Sequence, residues 1–310
     1  MIFGMVDLGG DIRTRQFSKM ELFAREAVEG FLTGRHKSPF HGFSVEFAEH
    51  RLYNAGESTR HIDWKLFGRT DKMFVKRYEE ETNLRCQLVI DHSSSMFYPK
   101  GEKYSKIAFS AYAAASLAHL LRTQRDAIGL STFTDGNESY LPARLSNNHM
   151  NYLYESLNKL VEPSAEPVKT DIASALHEIA ERVHQRSLVV VFTDLFEGEG
   201  KKGEELFSAL QHLRYNKHDV VLFHVVDEKA ELKLDLENRP TTFVDLETGE
   251  RIKLNPSSVE DEYRKLAEKY FHEIEIKCGQ YHIDYVRADI DKGFEQVLLA
   301  YLLKRKKILS

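Results

Sequence analysis

Asp91, Ser93 and Ser95 stand at alternate positions in Asp91-His92-Ser93-Ser94-Ser95-Met96, directly after the run Gln87-Leu88-Val89-Ile90. Short oxygen side chains fanned around one turn at the end of a buried strand can surround a hard divalent cation. Such ions prefer oxygen ligands, and magnesium keeps several of its waters. Two further oxygens lie far along the chain: Thr170 in Lys169-Thr170-Asp171, and Asp194 after Leu188-Val189-Val190-Val191-Phe192-Thr193. Each stands at the mouth of an expected element. Asp91, Ser93, Ser95, Thr170 and Asp194 are therefore the expected metal residues. Magnesium is the expected ion, with calcium and manganese as alternatives that accept the same oxygens. A solvated Asx turn uses the same residue types without metal, so a scaffold whose loop holds no ion stays open as a reading.

Other chemistries fit less well. A phosphohydrolase with a nucleophilic aspartate also places it at a strand end beside magnesium, which makes Asp91 a candidate. Such enzymes need a second acid two residues on, and Ser93 fills that place. No G-x-S-x-G elbow, P-loop or H-E-x-x-H occurs, so the chain is expected not to be an enzyme. Gly198-Glu199-Gly200-Lys201-Lys202-Gly203 matches G-x-G-x-x-G, but Asp194, Glu197, Glu199, Glu204 and Glu205 around it would repel a pyrophosphate. His177, Glu181 and His184 share a helical face without the second histidine of a zincin helix, and read as a solvated face. Lys304-Arg305-Lys306-Lys307 closes the last helix, where cations complement the dipole.

From Asp91 onward strand-like and helix-like segments alternate, the pattern of a parallel sheet covered by helices on both faces. Cys86 to Asp91, Asp126 to Phe133, Glu138 to Leu141, Ser187 to Asp194, Val220 to Val226 and His282 to Arg287 read as six strands. Helices are expected over Tyr104 to Thr123, Asn148 to Leu160, Asp171 to Gln185 with Thr170 as N-cap, Glu204 to Tyr215, Val259 to Cys278 and Gly293 to Lys307. The fold class is α/β, a doubly wound and mostly parallel sheet, whose ligands bind at the carboxyl ends of strands. Asp91 and Asp194 both fall at such ends.

Residues 1–84 read differently, as an N-terminal β-rich accessory portion ahead of an α/β domain over 85–310. Lys19 to Leu32 is an expected helix; Phe43, Val45 and Phe47 alternate as a half-buried strand, and Phe74 to Glu80 is another. Arg60 and Asp63, one helical turn apart, read as an ion pair, with Trp64 as a core anchor.

Composition sets outer bounds. The 310 residues are 42% hydrophobic and 29% charged, with a net charge of −5. That is enough apolar material for a substantial core, and the negative balance disfavours nucleic acid and anionic membranes as partners. Cys86 and Cys278 have no disulfide or metal spacing and read as small core residues. The start has no basic-then-apolar signal, and the most apolar helix is short and interrupted by Ser110, Ser116 and His119, so a cytoplasmic location without membrane insertion is expected.

The D-x-S-x-S loop with Thr170 and Asp194 resembles the metal-ion-dependent adhesion site of von Willebrand factor A domains. The resemblance implies that Ser93, Ser95 and Thr170 are direct ligands, that Asp91 and Asp194 lie in the first or second shell, and that a partner's Asp or Glu carboxylate completes the coordination. More of the chain resembles the bacterial proteins called "domain of unknown function 58". The points of match are Tyr53, Gly56, Arg60, Ile62-Asp63-Trp64, the Val75-Lys76 pair before an acidic run, the metal loop, and Val244-Asp245-Leu246-Glu247-Thr248-Gly249-Glu250. That family is similar to von Willebrand A domains, and its genes often neighbour a MoxR-type AAA+ ATPase. What this implies is a protein-binding module, an adaptor or substrate recruiter for such an ATPase. Many members carry membrane helices, which the sequence here does not show.

Overall fold

The computed structural model describes residues 20–34, 49–52, 64–77, 84–99, 104–134, 137–162, 171–195, 201–233, 241–244 and 251–309. Six strands form the central sheet: β3 (Arg85–Asp91), β4 (Ala127–Thr134), β5 (Asn137–Arg144), β6 (Leu188–Thr193), β7 (Asp219–Val226) and β10 (Asp284–Asp289). Their order is β10-β7-β6-β3-β4-β5, with every pair parallel except β4 and β5. The six strands and the mostly parallel doubly wound sheet read from the sequence are all present.

The central strands are apolar on both faces because both faces are covered. Val89, Val189, Val191, Val220 and Leu222 pack in one core with α5 (Ile172–Arg182), α6 (Lys201–Tyr215) and the C-terminal half of α7 (Pro256–Gln280). Strand alternation turns Leu88, Ile90, Val190, Phe192 and Phe223 the other way, where α3 (Lys106–Thr123) lies against β3 and β4 and also meets α4 (Asn147–Leu160) and α8 (Glu295–Leu309). The Phe192 and Phe223 rings stack there at 5.0 Å. Helix α3 is buried nearly all round, as its composition implies.

β4 has one position where only glycine fits. A Cβ on Gly129 would run into Gln87 Oε1 and the backbone of Leu141 and Ala143. Gln87 is itself buried in the sheet, and its amide donates to Ser131 Oγ at 2.9 Å and Leu141 O at 3.2 Å.

The division of the chain departs from the expected one at its N-terminal end. Residues 84 onward form one unit, but α1 (Met20–Gly34) joins that unit through Phe31 instead of joining the segment that follows it. Met20, Ala24, Ala27, Val28 and Phe31 make a buried stripe. Phe23 meets the rings of Tyr112 and Phe294 at 4.6 and 5.5 Å, and Arg122 pairs with Glu21 at 2.9 Å. An amphipathic helix belongs to whichever core buries its stripe, and sequence order does not decide that.

The second unit spans residues 32–83. Its described part is an antiparallel pair, β1 (Glu49–Leu52) with β2 (Phe74–Arg77), and a short helix α2 (Trp64–Thr70). The expected strand at Phe74 is thus present and shorter; Phe43 to Phe47, Arg60 and Asp63 lie outside the described residues. Trp64 is not a core anchor: it is 59% exposed at the start of α2, edge-on to Phe67 at 6.1 Å. A hairpin not expected from sequence, β8 (Thr241–Val244) with β9 (Arg251–Leu254), precedes α7.

Two of the three secondary motifs resolve structurally. Gly198 and Gly200 lie outside the described residues. His177 Nδ1 faces His212 Nδ1 at 3.0 Å and His212 Nε2 meets Glu181 at 2.9 Å, whereas His184 turns to the Gln185 carbonyl. Lys304 does more than complement a helix dipole, since it pairs with Asp284 at 2.5 Å and Asp219 at 3.6 Å. Cys86 and Cys278 are buried free thiols, as expected, and burial pushes Cys278 up to about 12.

Candidate divalent-cation site

Strands β3 and β6 are neighbours at the middle of the sheet, and the chain leaves them in opposite directions, β3 toward β4 and β6 toward β7. That gap is the switch point where open α/β sheets bind ligands. Asp91 ends β3, and Asp194 follows β6 directly. Their parallel register pairs Ile90 with Phe192, so Asp91 is level with Thr193 and Asp194 stands one residue beyond it, at the same end of adjacent strands.

Each loop is shaped by its own residues. After β3, a 3-10 turn over Ser94–Phe97 is held by the Met96 N–H donating to Ser93 O at 3.1 Å, with the Met96 side chain buried beneath it. A serine at that position usually spends its hydroxyl on a backbone N–H. Ser93 makes no such cap. Its Oγ lies 2.9 Å from Ser95 Oγ instead, and both side chains are buried. Asp91 is fixed through both oxygens: Oδ1 accepts from the Ser93 N–H at 2.9 Å, and Oδ2 from the Thr193 hydroxyl at 2.7 Å. After β6, Leu195 takes a left-handed φ of 54°, a cost for a branched side chain that functional turns often carry. Its N–H donates to Thr193 Oγ1 at 3.1 Å and its carbonyl accepts from Tyr270 at 2.8 Å.

The structure thus brings together Asp91, Ser93, Ser95 and Asp194. Ser95 also hydrogen-bonds the Asp194 carboxylate. Thr170 lies outside the described residues. The N-cap of α5, expected to be Thr170, is Asp171, whose side chain accepts from Ser174 N at 3.1 Å.

Two charged residues at the site were not foreseen. Lys106, 1% exposed, donates to Asp194 Oδ2 at 2.7 Å and to Glu231 Oε1 at 2.6 Å. Glu231 comes from a π-turn (Glu228–Leu232) just past β7. A signal for Lys106 was present: it occupies the first position of α3 after the N-cap Ser105, the end of a helix that repels cations. A lysine there that is also buried calls for carboxylates opposite. Glu231 sits in an ordinary charged stretch, and nothing local marks it.

Electrostatics separate the two aspartates. Burial, then the neighbouring Asp194 charge, pushes Asp91 up to about 7. Burial also works against ionised Asp194, but the Lys106 ammonium outweighs it and holds that carboxyl below the usual range. On the far side of Asp194, burial pushes His224 down to about 3, so it is neutral; its Nε2 bonds Asp194 O at 2.9 Å and its Nδ1 the Tyr285 hydroxyl at 2.7 Å.

The donors fit a hard divalent cation. Three carboxylates, Asp91, Asp194 and Glu231, face one ammonium, which leaves two negative charges in a buried cluster when all are ionised. Asp91 pairs with no cation among the described residues, and burial and then the neighbouring Asp194 charge raise its pKa. Among the described residues no group of three or more His, Cys, Asp or Glu is arranged to hold a metal, so a cation here would have to draw on the hydroxyls of Ser93 and Ser95. Oxygen-only donors with two carboxylates suit magnesium or manganese.

The family model described as "Protein of unknown function DUF58" matches residues 49–272. Uncharacterized proteins of Mycobacterium bovis and Mycobacterium tuberculosis are 25% identical over 175 residues, 56% of this chain and 55% of each relative. The chain therefore spans about half the length of those curated relatives. Among solved structures, the conserved hypothetical protein BatB from Bacteroides thetaiotaomicron is 16% identical, covering 72% of this chain and 98% of its own, with a TM-score of 0.41. An aerotolerance-related membrane protein from Bacteroides fragilis is 17% identical over 72% and 97%, with a TM-score of 0.42. The fold described above stands on its own strand order and does not draw on these distant likenesses.

Proposed function

The chain belongs to the family of proteins of unknown function DUF58, and we propose that it is a divalent-cation-dependent protein-binding module, an adaptor or substrate recruiter for a MoxR-type AAA+ ATPase. The observation that carries this reading is the meeting of the buried Ser93 and Ser95 hydroxyls beside Asp91 and Asp194 at the switch point of the sheet. When bound there, a magnesium ion would supply an electrophilic coordination position. Ser93 and Ser95 would hold it directly, with Asp91 balancing its charge and Thr170 as the remaining hydroxyl that the sequence offers.

Neutral hydroxyls donate less charge than carboxylates, so the ion keeps affinity for one more anionic oxygen, and a partner's Asp or Glu side chain supplies it. The ATPase as partner rests on the resemblance of the chain to its family. Cytoplasmic residence belongs to the same proposal; among the described residues no helix is long and apolar enough to cross a membrane.

The test is a pull-down of the purified MoxR-type ATPase from the same organism on immobilised protein, in magnesium and in excess chelator. Capture in magnesium that is lost with chelator, and lost in Ser93→Ala/Ser95→Ala, is the expected result. Equal capture under all conditions overturns the cation dependence and leaves a scaffold. Turnover of a generic phosphate ester that disappears in Asp91→Asn would overturn the binding-module reading in favour of a phosphohydrolase.

A further inference from the structure

Lys106 is the least expected group at this site. It places a full positive charge in a buried position, at a helix end that disfavours cations, and next to residues expected to hold a cation. Burial of an ammonium is costly unless it is paired through good hydrogen bonds. Both of its contacts, 2.7 Å to Asp194 and 2.6 Å to Glu231, are in the range of strong charge-assisted bonds.

The clamp is rigid on each side. The Lys106 N–H donates to Tyr98 O at 2.9 Å, which ties the start of α3 to the loop that carries Ser93 and Ser95. Glu231 is held through its second oxygen by the Asp227 N–H at 3.0 Å, and its carbonyl accepts from the Tyr263 hydroxyl at 2.7 Å. Asp194 is braced from behind by His224.

We infer that Lys106 is a built-in counter-ion of the cation site: its ammonium, clamped between Asp194 and Glu231, keeps Asp194 out of the inner shell of the divalent cation and sets how tightly that cation binds. This deepens the proposed function and rests on its reading of Ser93 and Ser95 as cation ligands. Asp194 Oδ2 is committed to nitrogen and Asp194 is also bonded by Ser95, so its charge reaches the ion through that hydroxyl. The charge balance has a consequence for binding. With the divalent cation in place, three carboxylates face three positive charges, so an incoming carboxylate meets no net repulsion. Without Lys106 the cluster would hold the metal more tightly and, still negative, would resist the partner.

Titration calorimetry of magnesium and of manganese into wild type, Lys106→Met, Lys106→Arg and Glu231→Gln tests this. Lys106→Met is expected to bind either metal at least about tenfold tighter, because a like charge within a few ångströms of the ion is gone. Adding Asp194→Asn should remove that gain, so that Asp194→Asn costs about tenfold more in the Lys106→Met background than alone. Lys106→Arg, which keeps the charge, should stay within about threefold of wild type. Glu231 is not proposed as a ligand; Glu231→Gln removes one negative charge from the cluster and turns the ammonium fully to Asp194, and both changes weaken metal binding.

A folded Lys106→Met that binds no more tightly than wild type overturns the inference. Should Lys106→Met not fold, an unchanged or tighter affinity in Glu231→Gln overturns it just as well. If wild type takes up no metal but Lys106→Met does, the metal-loaded reading of the protein fails and the counter-ion role stands. If neither takes up metal, both fail.

Discussion

Asp91 and Lys106 carry the opposite logic of this site in two side chains. Among the described residues the partners of buried Asp91 are dipolar, the Ser93 N–H and the Thr193 hydroxyl, so its ionised form would gain from a cation. Lys106 is buried with two carboxylates, so its own charge is already answered. Removing one partner of such a cluster leaves charges stranded in a dry place, and Lys106→Ala should lower stability by about 3–5 kcal/mol, read by urea unfolding in chelator. Ser93→Ala is milder, since it removes hydroxyl bonds to Ser95 and to the Asp91 carboxylate but strands no full charge, and should cost about 1–3 kcal/mol. Legibility followed the same division. Asp91, Ser93 and Ser95 were readable because a five-residue turn carries its own chemistry in its spacing, and Asp194 because it ends an unmistakable buried strand. Glu231 was not readable, because its role exists only through a lysine 125 positions away.

At the level of elements, the six strands and the helices between them were legible in hydrophobic period, since each buries a face that its own composition declares. The assignment of α1 was not, because an amphipathic stripe says that a helix is buried but not against what. Its apolar contacts predict that Phe23→Ala destabilises the α/β unit by about 2 kcal/mol, less than the cost at a fully buried site, measurable as a shift of the urea midpoint. Gly129 is a stricter case. Gly129→Ala must displace Gln87 or the β5 backbone, and a loss of roughly 1–3 kcal/mol is expected from overpacking a strand with no room to give. β7 adds a pH signature through His218 at its entrance. Burial holds His218 below the ordinary imidazole value of 6.5, and its Nδ1 accepts from the Ser187 N–H, a bond the protonated ring cannot accept. Below pH 6.5 the unfolded chain takes up a proton that the folded one refuses. The stability His218 contributes is therefore full above pH 6.5 and is lost as pH falls toward its depressed folded value. Unfolding free energies at pH 7.5 and 5.5 should show that decline, and His218→Gln should flatten it.

For the whole molecule, the sheet supplies a fixed rim on which two loops from different strands meet, and the proposed cation would join them. Any ligand that binds only the folded state stabilises it by mass action, so magnesium at about a hundred times its dissociation constant should add about 2.7 kcal/mol. Chelator should lower the melting temperature by the corresponding amount and leave the protein folded, because Lys106 balances Asp194 and Glu231 in the absence of metal. The change from irregular to alternating pattern near residue 84 coincides with the start of the larger segment of the α/β unit, but the inclusion of α1 through Phe31 in that unit was not visible. Nor were the contents of the segment before residue 84, because Trp64 reads as a core residue by type and is exposed in place.

The most direct measurement is calorimetric titration of magnesium into wild type and into Ser93→Ala/Ser95→Ala, with circular dichroism confirming that both are folded. The site described here predicts one saturable binding event per chain in wild type and none in the double variant. Indistinguishable isotherms from the two proteins would contradict it.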